Sequence, residues 1–318
     1  MKVTVIGAGR WGSFIAWYLD YIGKDVSLYG RRGSKNMEEF EETRGNGMIR
    51  LEDSTKLVYD LKVVEESDVV VISIPSQKVR SLMEELTSYK LKNKIFVLCM
   101  KGIEITTGKR LSEVMIEYLD LTNPVAVWLG PGHPQEFYRG DPNCMVIDST
   151  IESCKKYLVE EFSSDLIRFY YGRDLVGNEI GAAAKNVIGI AAGGLDGMGL
   201  SSLKGALMSR GTREVSRLIE AMGGNPFSAY GLCHLGDYEA TVFSKYSQNR
   251  RFGETLVKGE DYDKLAEGYF TCKAMKALGE EYHVDLPITD VVYDVCYKGR
   301  DGKEAMQSLF LREIKNEF

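Results

Sequence analysis

No run in this 318-residue sequence reaches the roughly 20 consecutive apolar residues that a membrane-spanning helix needs. Membrane insertion is not expected, and the first apolar segment has no charged leader or cleavage site ahead of it. The expected location is therefore the cytoplasm. Basic charge is not in excess, with 40 Lys and Arg against 46 Asp and Glu and a net charge of −6. That balance argues against nucleic acid or an anionic membrane as partner. Histidine is scarce: His133, His234 and His283 are the whole supply. None stands at metal-ligand spacing, so no metal is expected. The six cysteines (Cys99, Cys144, Cys154, Cys233, Cys272, Cys296) include no C-x-x-C pair, which predicts reduced, mostly buried thiols. Internal repeats, low-complexity tracts and flexible linkers are also missing.

What is present starts at the third residue. Val3-Thr4-Val5-Ile6-Gly7-Ala8-Gly9-Arg10-Trp11-Gly12 is a short apolar strand running into a glycine turn. An apolar helix containing Phe14, Ile15, Tyr18 and Leu19 follows. In such a turn Gly7 permits the tight bend, Gly9 lets backbone approach a pyrophosphate, and Gly12 lets the helix pack closely on the strand. The helix N-terminus adds free N–H groups and a partial positive charge. A dinucleotide is the expected ligand. The second strand, Val26–Tyr29, ends in Gly30-Arg31-Arg32 without an acid. An NAD-specific site places Asp or Glu there for the ribose hydroxyl, whereas arginine can pair with a 2′-phosphate. NADP or NAD is expected, with NADPH accepted at least as well as NADH and Arg31 and Arg32 as cofactor contacts.

The length predicts about two domains, and 44% hydrophobic residues suffice for a sizeable core. Strands are expected at Val26–Tyr29, Asp68–Ile74, Lys94–Cys99, Val125–Leu129, Cys144–Ile147 and Ile167–Tyr171. Helices are expected around Leu111–Leu119 and at Ser153–Phe162. Lys35–Asp60 reads as a polar, irregular insertion. Beyond about Gly172 helical patterns take over, at Val176–Ala192, Leu203–Met222, Leu265–Tyr282 and Ala305–Phe310, punctuated by Pro226 and Pro287. The expected fold is an α/β Rossmann domain over residues 1–174, with a doubly wound, mostly parallel sheet, followed by an all-helical substrate and catalytic domain over 175–318.

The most specific feature of the second half is Gly177-Asn178-Glu179-Ile180-Gly181-Ala182-Ala183-Ala184-Lys185-Asn186-Val187-Ile188-Gly189. Ile180, Ala184, Val187 and Ala191 form one packing face. Lys185 lies on another, among Gly181, Ala182, Gly189 and Ala192. Each glycine costs a helix about 1 kcal/mol, so two beside one lysine call for a reason. Small neighbours let a ligand or another backbone reach it. Asp237, in Leu235-Gly236-Asp237, is a carboxylate that could meet Lys185 or cap a helix; spacing does not choose between these.

Gly-Ala-Gly-Arg-Trp-Gly at 7–12, Met100-Lys101-Gly102-Ile103, Gly181–Val187, and Leu235-Gly236-Asp237 with Asn249-Arg250-Arg251-Phe252-Gly253 together resemble the NAD(P)-dependent glycerol-3-phosphate dehydrogenase family over nearly the whole length. Ala266-Glu267-Gly268 resembles a further cofactor-contacting motif. The resemblance implies reduction of dihydroxyacetone phosphate to sn-glycerol 3-phosphate with NADH or NADPH, feeding glycerophospholipid synthesis, and a possible homodimer. It implies Lys185 as the proton donor, oriented by Asp237, with Lys101, Asn249 and Gly130 on the substrate. Gly132, Thr241, Ser247 and Gln248 are further substrate-side positions. Arg10, Trp11, Lys101, Pro134, Gln248 and Glu267 join the glycines as cofactor contacts. The chain departs from the family pattern at Gln248, where an arginine usually grips the substrate phosphate. It departs again at Gly130-Pro131-Gly132-His133-Pro134, usually Gly-Pro-Ser-Phe-Ala. Arg250, Arg251 and Lys101 are the remaining candidates for the phosphate. The alternatives are a relative that reduces another small ketone or keto-sugar, and a non-catalytic nucleotide-sensing module. A hydroxyacyl-CoA dehydrogenase would need a histidine–glutamate pair, which no histidine here suggests.

Overall fold

The structure, a computed structural model, describes residues 1–314, 316 and 317. The chain divides into two compact units, Met1–Met100 with Lys109–Leu175, and Lys101–Gly108 with Val176–Phe318.

In the first unit the elements run β1 (Lys2–Ile6), α1 (Arg10–Tyr21), β2 (Asp25–Tyr29), α2 (Lys35–Thr43), β3 (Lys56–Val58), β4 (Val69–Ile72), α3 (Val79–Leu86) and β5 (Ile95–Leu98). They continue with α4 (Leu111–Ile116), β6 (Val125–Leu129), α5 (Pro134–Tyr138), β7 (Asn143–Ser149), α6 (Glu152–Phe162) and β8 (Ile167–Tyr171). They build one eight-stranded sheet in the order β3-β2-β1-β4-β5-β6-β7-β8. All neighbours are parallel except β6 and β7. Val3 of β1 faces Val26 of β2 on one side and Val69 of β4 on the other. The strand order therefore reverses direction at β1, and an open α/β sheet binds ligands at the carboxyl ends of strands at such a switch point. β4 is buried at every residue, as a strand covered on both faces must be. Trp128, Tyr18, Phe14 and Phe162 fill the space between sheet and helices.

The expected irregular insertion at 35–60 is corrected here: it holds α2 and the edge strand β3. Met37 and Phe40, three apart, bury one face of α2 completely. Gly30 makes room for this, because a Cβ there would collide with the Met37 side chain. The surrounding Glu38, Glu39, Glu41 and Glu42 masked a narrow apolar stripe.

In the second unit the helices are α7 (Leu175–Gly197), α8 (Lys204–Ala221), α9 (Gln248–Lys258), α10 (Glu267–Glu281), α11 (Pro287–Lys298) and α12 (Gly302–Ser308). Pro287 begins α11 instead of interrupting a pattern, since proline suits the first helical turn. The N–H groups of that turn, which have no partner within the helix, donate to the buried Glu214 carboxylate, 2.7 Å from Ile288 N and 3.0 Å from Thr289 N. Burial pushes Glu214 up to about 7 against these donors and the Thr289 hydroxyl. α7 is buried at every position from 179 to 195, not along one face only. Lys101–Gly108 packs with the helices because Ile103 is wholly buried in their apolar core. Among the described residues no helix is long and apolar enough to cross a membrane, and no group of His, Cys, Asp and Glu is placed to hold a metal ion.

Candidate active site

The glycine turn closes β1 onto α1. Gly7 has φ +117°, and a Cβ there would collide with the Ser73 carbonyl. A Cβ at Gly12 would collide with the Gly7 carbonyl. Gly9 is different: nothing lies within 4 Å of where its Cβ would be. It caps α1 without any side-chain hydrogen bond, so the first-turn N–H groups of α1 face open space. A cleft of about 660 Å³ begins here, lined by Gly7, Gly9, Arg31, Arg32, Asn36 and Lys78. These features fit a dinucleotide pyrophosphate. Asn36 ties the loop back by donating to the Ala8 carbonyl at 2.9 Å. Arg31 is exposed beside the cleft, and the Arg32 guanidinium lies 5.2 Å from the centre of the Tyr59 ring. Arg10 is exposed, while Trp11 stacks on Phe14 with ring centres 5.1 Å apart. Gly130 and Gly132 have φ of +134° and +124°, and Phe137 fills the space a Cβ at Gly132 would need. Pro134 is the first residue of α5.

The second unit gathers charge at one point. Lys185 Nζ and Lys101 Nζ each lie 2.5 Å from the same oxygen, Oδ2 of Asp237. Asp237 is wholly buried, in the tight turn Leu235–Asp237. Its other oxygen, Oδ1, is buried without a hydrogen-bond partner. Two cations on one carboxylate leave a net positive charge in a dry environment. Burial lowers the Lys185 pKa well below the usual lysine value, to about 7; Asp237 opposes the shift and Lys101 adds to it. Such a lysine holds and releases a proton near neutrality.

The backbone of Lys101 is held as well. Asn186, one residue beyond Lys185, donates to the Lys101 carbonyl at 3.1 Å. Asn249 donates to Asn186 Oδ1 at 3.0 Å and accepts from the Gly268 amide at 2.9 Å. Asn249 thus links α7, α9 and the start of α10, where Glu267 is the first residue. The small residues of α7 admit other parts of the chain. A Cβ at Gly189 would press on Thr241, and one at Gly193 would collide with the Arg250 carbonyl. Ser247 caps α9, its hydroxyl accepting from the Arg250 amide at 3.3 Å. Gln248 Oε1 accepts from the Tyr262 hydroxyl at 2.6 Å. Arg250 is committed elsewhere: its guanidinium pairs with Asp196 and reaches Glu254 and the Ser244 carbonyl. Arg251 is exposed.

Sequence reasoning missed Asn186, His234 and Tyr238 as parts of this site. The signal for Asn186 was its place next to Lys185. For His234 and Tyr238 it was their flanking of Asp237, which carries weight only once the turn is known to pack on α7.

Two family models match the chain: NAD-dependent glycerol-3-phosphate dehydrogenase N-terminus over residues 2–155, and its C-terminus over 174–307. The chain belongs to the NAD-dependent glycerol-3-phosphate dehydrogenase family. The curated glycerol-3-phosphate dehydrogenase [NAD(P)+] of Prosthecochloris aestuarii is 38% identical over the full length of both chains. That of Thermoanaerobacter sp. is 36% identical, covering 100% of this chain and 99% of the relative. Among solved structures, glycerol-3-phosphate dehydrogenase from Coxiella burnetii superposes with a TM-score of 0.91 at 27% identity, covering 98% of this chain and 99% of that one. As a member of the glycerol-3-phosphate dehydrogenase family the chain is an NAD(P)-dependent oxidoreductase with a Rossmann-type first unit. A different ketone substrate, the alternative raised by Gln248, is not favoured by similarity that runs end to end.

Proposed function

We propose that Lys185 is the proton donor in the reduction of dihydroxyacetone phosphate to sn-glycerol 3-phosphate, with Asp237 holding it and Lys101 supplying a second positive charge. Gly7, Gly9 and Gly12 would hold NAD(P)H at the glycine turn, where the bound cofactor would supply the hydride that the carbonyl carbon accepts. The carbonyl oxygen then gains an electron pair. The Lys185 ammonium gives it a proton and is left as a neutral amine, which recovers a proton from water. The reverse reaction takes the hydroxyl proton onto that amine. Positive charge placed where negative charge develops binds the transition state more tightly than the ground state. The observation that carries this reading is the pair of lysines on one buried carboxylate oxygen. Following NAD(P)H oxidation with dihydroxyacetone phosphate as substrate tests it directly. The product suits glycerophospholipid synthesis, and the expected form is a cytoplasmic homodimer, which sedimentation of the purified protein checks.

Cofactor choice follows from the end of β2. NADPH is expected to give a kcat/KM at least equal to that of NADH, because Gly30-Arg31-Arg32 offers cations and no acid to the 2′-position. Arg31→Ala is expected to lower kcat/KM for NADPH more than for NADH. A strong NADH preference that survives both Arg31→Ala and Arg32→Ala rejects this assignment.

Phosphate handling follows from Gln248. Its amide lacks the charge and fork of the family arginine, and its carbonyl oxygen is occupied by Tyr262. A lost charged hydrogen bond costs about 1.5–3 kcal/mol, or roughly 10- to 150-fold in kcat/KM. Gln248→Arg is therefore expected to raise kcat/KM for dihydroxyacetone phosphate at least several-fold. If that variant is no better than wild type, Gln248 does not limit phosphate binding.

A further inference from the structure

His234 is wholly buried, and both of its ring nitrogens are used. Nδ1 lies 2.8 Å from the Gly181 carbonyl oxygen and Nε2 lies 2.7 Å from the Tyr238 hydroxyl. A carbonyl only accepts, so Nδ1 carries the proton and donates it. Nε2 then accepts from Tyr238. The Gly181 carbonyl is also the one that, in an α-helix, accepts the amide of residue 185. Gly181 permits this approach, since a Cβ there would lie 3.0 Å from His234 Cβ. On the other side, the Asp237 amide donates to the His234 carbonyl at 3.0 Å. His234 and Tyr238 thus bracket the turn that carries Asp237 and fasten it to α7 one turn before Lys185.

Asp237 needs such a fixture. With Oδ1 unpartnered, the hydrogen bonds that orient the carboxylate among the described residues come from the two lysines it must itself orient. The groups facing His234 are Lys185 from α7 and Asp237 and Tyr238 from its own segment, with Glu214 of α8 beside Tyr238. Burial pushes His234 down to about 4, the Gly181 hydrogen bond opposing and the Lys185 charge assisting. The ring is neutral at working pH and adds no third cation to the cluster.

We propose that His234 is a positioning residue, which sets Asp237 against Lys185 by clamping the Leu235–Asp237 turn to the Gly181 carbonyl. This rests on the proton-donor role of Lys185 proposed above. It distinguishes His234 from a residue that merely fills the core, because a misplaced carboxylate changes proton transfer more than it changes cofactor binding.

The test is steady-state kinetics with dihydroxyacetone phosphate and NADPH on His234→Ala, His234→Asn, Tyr238→Phe, Lys185→Ala and the double variant of His234→Ala with Lys185→Ala. Misplacing a catalytic group by about 1 Å costs on the order of 100-fold, so His234→Ala is expected to lower kcat about 10- to 100-fold. KM for NADPH should be unchanged. The pH at which reduction is half lost should move down, because Lys185 loses support for its charged form. His234→Asn keeps an amide donor near the Nδ1 position and should recover most of the lost kcat. In the Lys185→Ala background, His234→Ala should cost nothing further, since both act through one group. Wild-type kcat and an unmoved pH limb in His234→Ala overturn the proposal. So does a His234→Asn protein no more active than His234→Ala at equal thermal stability. If His234→Ala does not fold, Tyr238→Phe decides: a several-fold lower kcat with a shifted limb supports the clamp, and wild-type behaviour rejects it. An active Lys185→Ala removes the proton-donor reading itself, whereas an inactive Lys185→Ala beside a fully active His234→Ala removes only the role of His234.

Discussion

Lys185→Ala is expected to lower kcat for dihydroxyacetone phosphate reduction by at least about 100-fold and up to about 10,000-fold, the contribution of a general acid, with Kd for NADPH nearly unchanged. The substitution removes the proton and the cation together, so electrostatic stabilisation of the forming alkoxide is lost as well. The cofactor contacts proposed above are glycines and arginines of the first unit, which the substitution does not touch. The pH dependence of the wild-type reaction carries the same information. Reduction needs the ammonium, so its rate should fall as pH rises through the Lys185 value of about 7. Oxidation of glycerol 3-phosphate needs the amine, so its rate should rise over the same interval. A Lys185→Ala enzyme within a few-fold of wild type would falsify the assignment.

Asp237→Asn is expected to damage both activity and stability. The carboxylate is the shared counter-ion of Lys185 and Lys101. Removing one member of a buried ion pair leaves uncompensated charge and costs about 3–5 kcal/mol. Two neighbouring ammonium groups then repel, and Lys185 gives up its proton more readily. The reduction limb should move below its wild-type position, with kcat/KM at pH 7 down on the order of 100-fold. The linkage has a definite sign. Lys185 has a lowered pKa in the folded protein, so between about 7 and its unfolded value of about 10.4 the unfolded chain binds more protons. Stability from this group therefore rises with pH across that window. Asp237→Asn lowers the folded value further and extends the window downward. Thermal unfolding of the variant from pH 5 to 9 measures this; a variant as stable as wild type throughout would show that Asp237 carries no structural charge pairing.

The glycine turn was legible because its physics is local. A strand, a bend and a helix start within Lys2–Tyr21 each impose a residue type: Gly7 takes the positive φ of the bend, and Gly12 lies against the Gly7 carbonyl. α7 was legible from its Ala and Gly content, and β4 from an unbroken apolar run. In the second unit two helices were hidden by misleading local signals. α9 reads as polar, with Gln248, Asn249, Arg250 and Arg251 in its first turn and a glycine inside it. α11 opens on a proline that reads as a break. α9 is made a helix by the Ser247 cap and by Gly253, whose missing Cβ lets it lie on the Ile190 carbonyl. α11 is made one by the Glu214 carboxylate, more than 70 residues earlier in the chain.

The sequence alone determined the chain order of every strand but β3, the nucleotide turn, the cation-bearing end of β2 and a lysine set among small residues, because each depends on residues near one another in the chain. Only the tertiary structure decided which charges meet. Lys101 stands 136 residues from Asp237, so no spacing rule relates them. Arg250, in sequence a candidate for the phosphate, folds onto Asp196 instead. His234, without a metal-like setting in sequence, becomes the fastening between the aspartate's turn and the lysine's helix. Buried charges and ring nitrogens must find partners when water is removed, and the fold selects those partners by bringing distant segments together.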